Sequence, residues 1–155
     1  MSSSEIKFGL IGLDTSHVVI FSEEFNNPDA ENPIEGAKVV AAWPGGSPDI
    51  ESSIGRVPGY TKDLSEKYGV EIKDSIEEVC EACDVILHTS LDGRTHLEQF
   101  KKIAAFGKPV FVDKPFALTT ADAKEIFAIA AATFLSKPGL VFSPVPTAVP
   151  PCASA

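Results

Sequence analysis

Ile6-Lys-Phe-Gly-Leu-Ile-Gly-Leu-Asp-Thr-Ser-His17 is an apolar run that stops in a Gly-Leu-Asp-Thr-Ser turn and then starts a helix. It reads as a first β-strand entering a dinucleotide-binding turn. The usual turn is Gly-x-Gly-x-x-Gly, whose second glycine lets pyrophosphate approach the backbone and whose third lets helix and strand pack closely. Here Gly12 holds the first position, Asp14 the second and His17 the third. A carboxylate facing a pyrophosphate is repulsive unless it turns away or caps the helix, so the residues signal the fold more strongly than the cofactor. Gly12, Asp14, Thr15 and Ser16 are candidates to line a pyrophosphate site with backbone donors at a helix start. The alternative is Asp14 as a plain N-cap over a closed site.

Working outward, Asp14, Thr15 or Ser16 caps a helix with Val18, Val19, Phe21 and Phe25 on its buried face, ending before Pro28. Ala37 to Trp43 is nearly all apolar, as a parallel strand covered on both faces would be. Pro44 to Gly59, rich in Gly, Pro and Ser, reads as a long structureless loop, of the kind that is functional or disordered. A helix over Thr61 to Tyr68 stops at Gly69, and Val70 to Ile72 forms a short third strand. Ser75-Ile-Glu-Glu78 has the capping-box pattern, and Asp84 to Thr89 is a fourth strand. Thr95-His-Leu-Glu98 is a second capping box, opening a helix that ends at Gly107. Pro109 to Val112 is a fifth strand, and Thr119-Thr-Ala-Asp122 starts an alanine-rich helix reaching about Phe134. Such strict alternation predicts right-handed crossovers and an α/β, doubly wound, mostly parallel Rossmann-like sheet in three layers.

The 155 residues fit one domain spanning residues 5 to 134. Residues 135 to 155 carry a possible sixth strand at Leu140 to Phe142 and then an irregular, proline-rich tail. This tail is compatible with a shifted reading frame, so a truncated or frameshifted product is expected. A net charge of -9 and a pI near 4.7 argue against nucleic acid and anionic membranes as partners. No stretch is apolar enough to span a bilayer, the N-terminus lacks signal-peptide features, and a cytoplasmic location follows. Cys80, Cys83 and Cys152 read as free thiols.

With Asp113-Lys114-Pro115 the chain resembles the nucleotide-binding domain of the Gfo/Idh/MocA oxidoreductases, NAD(P)-dependent enzymes acting largely on sugars and cyclitols. The matching residues are Phe8-Gly-Leu-Ile-Gly12, Asp84-Val-Ile-Leu with His96 a short loop later, Gly107-Lys-Pro-Val-Phe-Val-Asp-Lys-Pro115, and the helix start at Thr119 to Ala123. The last long block is the most specific. Its family form is usually Glu-Lys-Pro, so Asp113 is a conservative departure. The resemblance implies that Lys114 lies near the nicotinamide and the reacting hydroxyl, with Asp113 beside the cofactor, as catalytic and cofactor-binding residues respectively. A cation there stabilises a developing alkoxide without titrating; the plain alternative is a loop lysine paired with Asp113. The resemblance also implies a separate substrate domain, which this length does not accommodate.

By the same resemblance, Thr89, Ser90 and Asp92 fall where the nicotinamide ribose is held. His96 matches a family histidine; it reads chiefly as a structural group, with contact to the cofactor or substrate as the alternative. Trp43 sits at the adenosine end. No carboxylate ends the second strand, which removes support for NAD; Ser47 and Arg56 favour NADP slightly, so the cofactor expectation is NAD or NADP. His17, His88 and His96, with Asp14 or Asp92, lack the tight spacing of a metal site, and Cys80-Glu-Ala-Cys83 reads as packing thiols. Two functions remain open. One is an oxidoreductase of sugars, polyols or cyclitols, or its isolated cofactor domain, needing a second domain for substrate. The other is a non-catalytic Rossmann-like module for a partner or small ligand. Apolar surface left by a missing domain would drive homo-oligomers.

Overall fold

A computed structural model describes residues 5–134. Five strands, β1 (Ile6–Ile11), β2 (Ala37–Trp43), β3 (Glu71–Ile72), β4 (Val85–His88) and β5 (Val110–Val112), form one sheet in the order β3-β2-β1-β4-β5. Every pairing is parallel. Six helices connect them: α1 (His17–Asn26), α2 (Glu51–Ile54), α3 (Val57–Tyr68), α4 (Ile76–Ala82), α5 (His96–Ala104) and α6 (Thr120–Phe134).

The strands sort the core into two faces, with a register shift opposite Phe8 and Gly9 that puts Val39 and Ala42 on one face and Ala41 on the other. Leu10, Val39, Ala42 and Leu87 pack with Val18 of α1 and Leu64 of α3, while Ile11, Ala41 and Ile86 pack with Val79 of α4 and Ile103 of α5. The sheet is therefore the middle of three layers, and its inner strands are apolar on both sides. Gly9 belongs to the second face, where a Cβ would stand 2.6 Å from Val79 and 2.8 Å from Cys83 Sγ. The missing side chain is what lets α4 lie this close to β1. A sixth helix layer element, α6, packs Ile126 and Ala130 against Phe100 and Ala104 of α5.

Four local expectations need correction. The segment from Pro44 to Gly59 is not structureless: it holds α2 and the first turn of α3, because Val57 and Ser53 are buried and Pro58 sits in the first turn of α3, where its missing N–H costs nothing. Accordingly α3 begins at Val57 rather than Thr61. At the start of α1, Ser16 is the N-cap in helical backbone geometry, with no side-chain cap, and neither Asp14 nor Thr15 replaces it. Thr15 Oγ1 reaches only the His17 N–H, at 3.4 Å. The capping box at Thr95 also does not form. Thr95 already has helical φ and ψ, its hydroxyl donates to the Asp92 carbonyl, and Glu98 pairs with Lys101. By contrast Ser75 does cap α4, accepting from the Glu78 N–H at 3.2 Å, and Gly69 ends α3 in the left-handed region.

The possible strand at Leu140 to Phe142 and the proline-rich tail lie outside the described residues. Among the described residues no helix is long and apolar enough to cross a membrane. Cys80 and Cys83 are free and buried, and burial pushes their thiols up to about 12 and about 11. They lie at the end of α4 and the entry to β4, where the Lys108 amine donates to both of their carbonyls.

Candidate functional site

The carboxyl ends of β1, β2, β4 and β5 bring Gly12, Trp43, Thr89 and Asp113 to one edge of the sheet, and the order of strands reverses between β1 and β4. That switch point is where parallel doubly wound sheets bind ligands. Gly12 turns there with φ of 92°. A Cβ on it would lie 2.3 Å from Ser90 Oγ and 2.6 Å from Ser90 Cα, so the glycine is required by the neighbouring β4 loop as well as by its backbone angle.

Asp14 resolves the conflict in the turn by pointing inward. It is 1% exposed; Oδ1 accepts from the Leu91 N–H at 2.9 Å and Oδ2 from the Ser53 hydroxyl at 2.6 Å. Ser53 Oγ in turn accepts from the Ser47 N–H, and the Ser47 hydroxyl donates to Asp92 at 2.6 Å. Asp92 receives the Arg94 guanidinium, which also makes paired bonds to Asp49. The Arg94 guanidinium, then the Ser47 hydroxyl, hold the Asp92 carboxyl well below the usual carboxylate range. This chain of bonds ties the β1–α1 turn, the loop carrying α2 and the β4–α5 loop into one unit.

With the Asp14 carboxylate withdrawn, the turn presents backbone donors. Gly12 N–H is used by the Trp43 carbonyl and Leu13 N–H by the Pro44 carbonyl. The N–H groups of Asp14, Thr15 and Ser16 have no partner among the described residues. They stand at the N-terminus of the ten-residue α1, where the helix dipole adds partial positive charge. Ser16 is exposed while Thr15 is buried. The group fits an anion of pyrophosphate type.

Beside the turn, an open cleft of about 370 Å³ lies between Trp43, Gly45, Gly46, Lys73 and Asp74, at the ends of β2 and β3. Trp43, expected at an adenosine end, lines this cleft; Lys73 and Asp74 line it too and are not singled out by the sequence, because a two-residue strand gives too little pattern to fix where it ends. Ser47 is 5% exposed and committed to Asp92, whereas Arg56 is exposed.

On the other side of the switch point, Thr89 donates to the Gly12 carbonyl at 2.8 Å, and Ser90 donates to Gln99 Oε1 at 2.7 Å. His96 is fully buried, with Nε2 2.7 Å from the Ser90 carbonyl and Nδ1 3.2 Å from that of Phe116. Its ring packs 4.3 Å from that of His88, whose Nε2 meets Gln99 Oε1 at 2.6 Å. Burial, reinforced by His96 and opposed by the Gln99 bond, lowers His88 to about 3. His17 points elsewhere, bonding through Nδ1 to Asp113. The three imidazoles do not converge, and no group of three metal-ligating side chains occurs among the described residues.

Lys114 is exposed, and its ammonium has no partner among the described residues. The plain alternative of an ion pair with Asp113 is not what the structure contains. Asp113 is 7% exposed; its Oδ2 faces His17 and its Oδ1 accepts the Lys114 backbone N–H at 2.8 Å. A free cation thus stands next to a buried carboxylate–imidazole pair at the edge of β5.

The fold has counterparts among known proteins. Residues 6–134 match the oxidoreductase family with an NAD-binding Rossmann fold, GFO_IDH_MocA. A dehydrogenase from Clostridium difficile is 25% identical with a TM-score of 0.57, over 83% of this chain and 36% of its own. The scyllo-inositol dehydrogenase from Lactobacillus casei, solved with NAD(H) and scyllo-inositol, is 21% identical with a TM-score of 0.62, over 83% of this chain and 33% of its own. Biliverdin reductase from Synechocystis, solved with biliverdin and NADP+, is 18% identical with a TM-score of 0.60, over 83% of this chain and 35% of its own. The chain therefore spans about a third of the length of these solved structures. None of the curated proteins matches the sequence significantly.

Proposed function

The chain belongs to the Gfo/Idh/MocA oxidoreductase family, and from that premise we propose that residues 5–134 are the dinucleotide-binding part of a dehydrogenase acting on a sugar, polyol or cyclitol. The observation that carries this reading is the turn after β1. Its carboxylate is buried by two hydrogen bonds while the three N–H groups of Asp14, Thr15 and Ser16 stay available for pyrophosphate.

In this reading the cleft beside Trp43 receives the adenosine end, with Lys73 and Asp74 at its wall. Either NAD or NADP suits these charges. Thr89, Ser90 and Asp92 shape the nicotinamide-ribose end mainly by fixing the β4 loop, because their hydroxyls and carboxylate already serve Gly12, Gln99, Ser47 and Arg94. A bound nicotinamide would supply hydride-transfer chemistry at the substrate carbon. The Lys114 ammonium orients the reacting oxygen and stabilises the negative charge that develops on it. A polyol substrate is inferred from the family and from the scyllo-inositol bound by one solved relative. The expected compartment is the cytoplasm, which suits free thiols such as Cys80 and Cys83.

Internal use of Thr89, Ser90, Asp92 and His96 favours a second reading, a non-catalytic module whose nicotinamide end is closed. Titration of the full chain with NADH and NADPH, followed by Trp43 fluorescence, separates the two. The dehydrogenase reading expects saturable quenching. Ser16→Pro should weaken binding about tenfold or more, since it deletes one N–H donor to a charged ligand at a φ of -64° that proline shares. A flat titration with folded protein would favour the module.

A further inference from the structure

We propose that Ser53 is a positioning residue for the dinucleotide site: its hydroxyl holds the Asp14 carboxylate inside the fold, and so decides whether the turn after β1 is open to pyrophosphate or closed by its own side chain. The inference rests on the dinucleotide reading above and names the group on which the open turn depends.

Asp14 stands at the second glycine position of the turn, where a side chain has two places to go. An aspartate just ahead of a helix accepts readily from the N–H two residues on, or from others in the first turn. Here that N–H belongs to Ser16. It has no partner among the described residues, and it is one of the donors offered to pyrophosphate. A carboxylate bonded there would fill the anion position with its own charge. The structure holds the other arrangement. Asp14 is 1% exposed, and both of its donors come from outside the turn: the Leu91 N–H of the β4–α5 loop at 2.9 Å and the Ser53 hydroxyl of α2 at 2.6 Å.

Ser53 is fixed from three sides. Its N–H donates to the Ile50 carbonyl at 2.9 Å, its carbonyl accepts from the Arg56 N–H at 3.0 Å, and its Oγ accepts from the Ser47 N–H at 2.8 Å. A hydroxyl has a single proton to give, and this one is committed to Asp14. The loop around it is closely packed: a Cβ on Gly46 would lie 2.9 Å from Val57 Cγ2 and 3.2 Å from Ile54 Cδ1, the residue next to Ser53. Ser53 is itself fully buried, so bulk water does not stand in for its hydroxyl.

The balance between the two arrangements is electrostatic. With Ser53 in place, each oxygen of the carboxylate has a donor. Without that hydroxyl, Oδ2 keeps a buried negative charge with no donor, which costs more than losing a neutral bond. The partnerless N–H groups of the turn are its way to regain one, and each that it takes is lost to the ligand. A carboxylate turned outward also repels the anion directly. Neither effect operates when residue 14 is neutral. Ser53 and Asp14, 39 residues apart in the chain, therefore act as one unit.

The test is a double-substitution cycle on the full chain, with NADH affinity read from Trp43 quenching and the free protein followed by ¹⁵N amide spectra. Ser53→Ala should weaken NADH binding about tenfold or more, and should shift the Ser16 amide without ligand. In an Asp14→Asn background, which removes the charge, the same Ser53→Ala change should alter affinity less than about twofold. A serine that only supports the α2 loop would weaken binding in both backgrounds; that result overturns the proposal, as does unchanged affinity in Ser53→Ala. Should Ser53→Ala not fold, Ser53→Cys replaces it in both backgrounds with the same outcomes, since a thiol fills a similar space and is a weak donor. Saturable binding to the unsubstituted chain without coupling between the two positions removes the role of Ser53 and leaves the dinucleotide reading intact. An absence of Trp43 quenching in the unsubstituted chain removes both.

Discussion

A methyl group on Gly12 would collide with both the hydroxyl and the backbone of Ser90, and it would do so at a φ of 92°. Gly12→Ala is expected to cost on the order of 2–4 kcal/mol from strain and overpacking together, read as a lower urea midpoint; unchanged stability would mean the turn can open. Loss of dinucleotide binding in any Gly12 variant is consequently interpretable only beside its stability. His88 makes a second residue-scale prediction. Folded, burial holds it neutral down to about 3; unfolded, it takes a proton near its ordinary value of 6.5. The unfolded state therefore binds more protons across this window, and stability should fall as pH drops below about 6.5, by up to about 1.4 kcal/mol per unit, levelling near the folded value. Between pH about 4.5 and 6.5, above most carboxylate titration, His88→Gln should remove this slope from urea-unfolding curves. An identical slope in the variant would assign the effect elsewhere.

Elements are held to one another by polar side chains where strands run short. Because β3 has only two residues, Asn26 serves β2 in place of a longer neighbour: its amide bonds both the N–H and the carbonyl of Val39 at 2.8 Å and reaches the Tyr68 carbonyl at the end of α3. Asn26→Ala should cost about 2–3 kcal/mol, roughly one per bond, measurable by equilibrium unfolding. Ser53→Ala breaks the link between Asp14 and Ser47; it should speed hydrogen exchange at the Ser47 amide while leaving the core strands protected. Strand positions were legible in the sequence because apolar runs such as Ala37–Trp43 stand out from the turn residues around them. The failures were non-local. Asp14 looked like a cap, yet its partners are Leu91 and Ser53, distant in the chain and invisible to spacing rules. Lys114 was located by its motif, but its unpaired ammonium follows from Asp113 having turned to His17, a contact no local pattern encodes.

Across the whole molecule, a net charge of -9 opposes an anionic dinucleotide, while the Asp14–Ser16 donors and Lys114 attract it at short range. Screening weakens the distant repulsion more than the close contacts, so raising salt from about 20 to 150 mM should increase the NADH association rate. A steep fall instead would mean that distant cations steer the ligand. The central claim is that the modified turn still binds a dinucleotide through its backbone. The most direct measurement is the amide spectrum of the ¹⁵N-labelled chain during NADH titration. The account expects saturable shifts concentrated at Asp14, Thr15 and Ser16 and at the Trp43 indole; saturating NADH that leaves those resonances in place would contradict it.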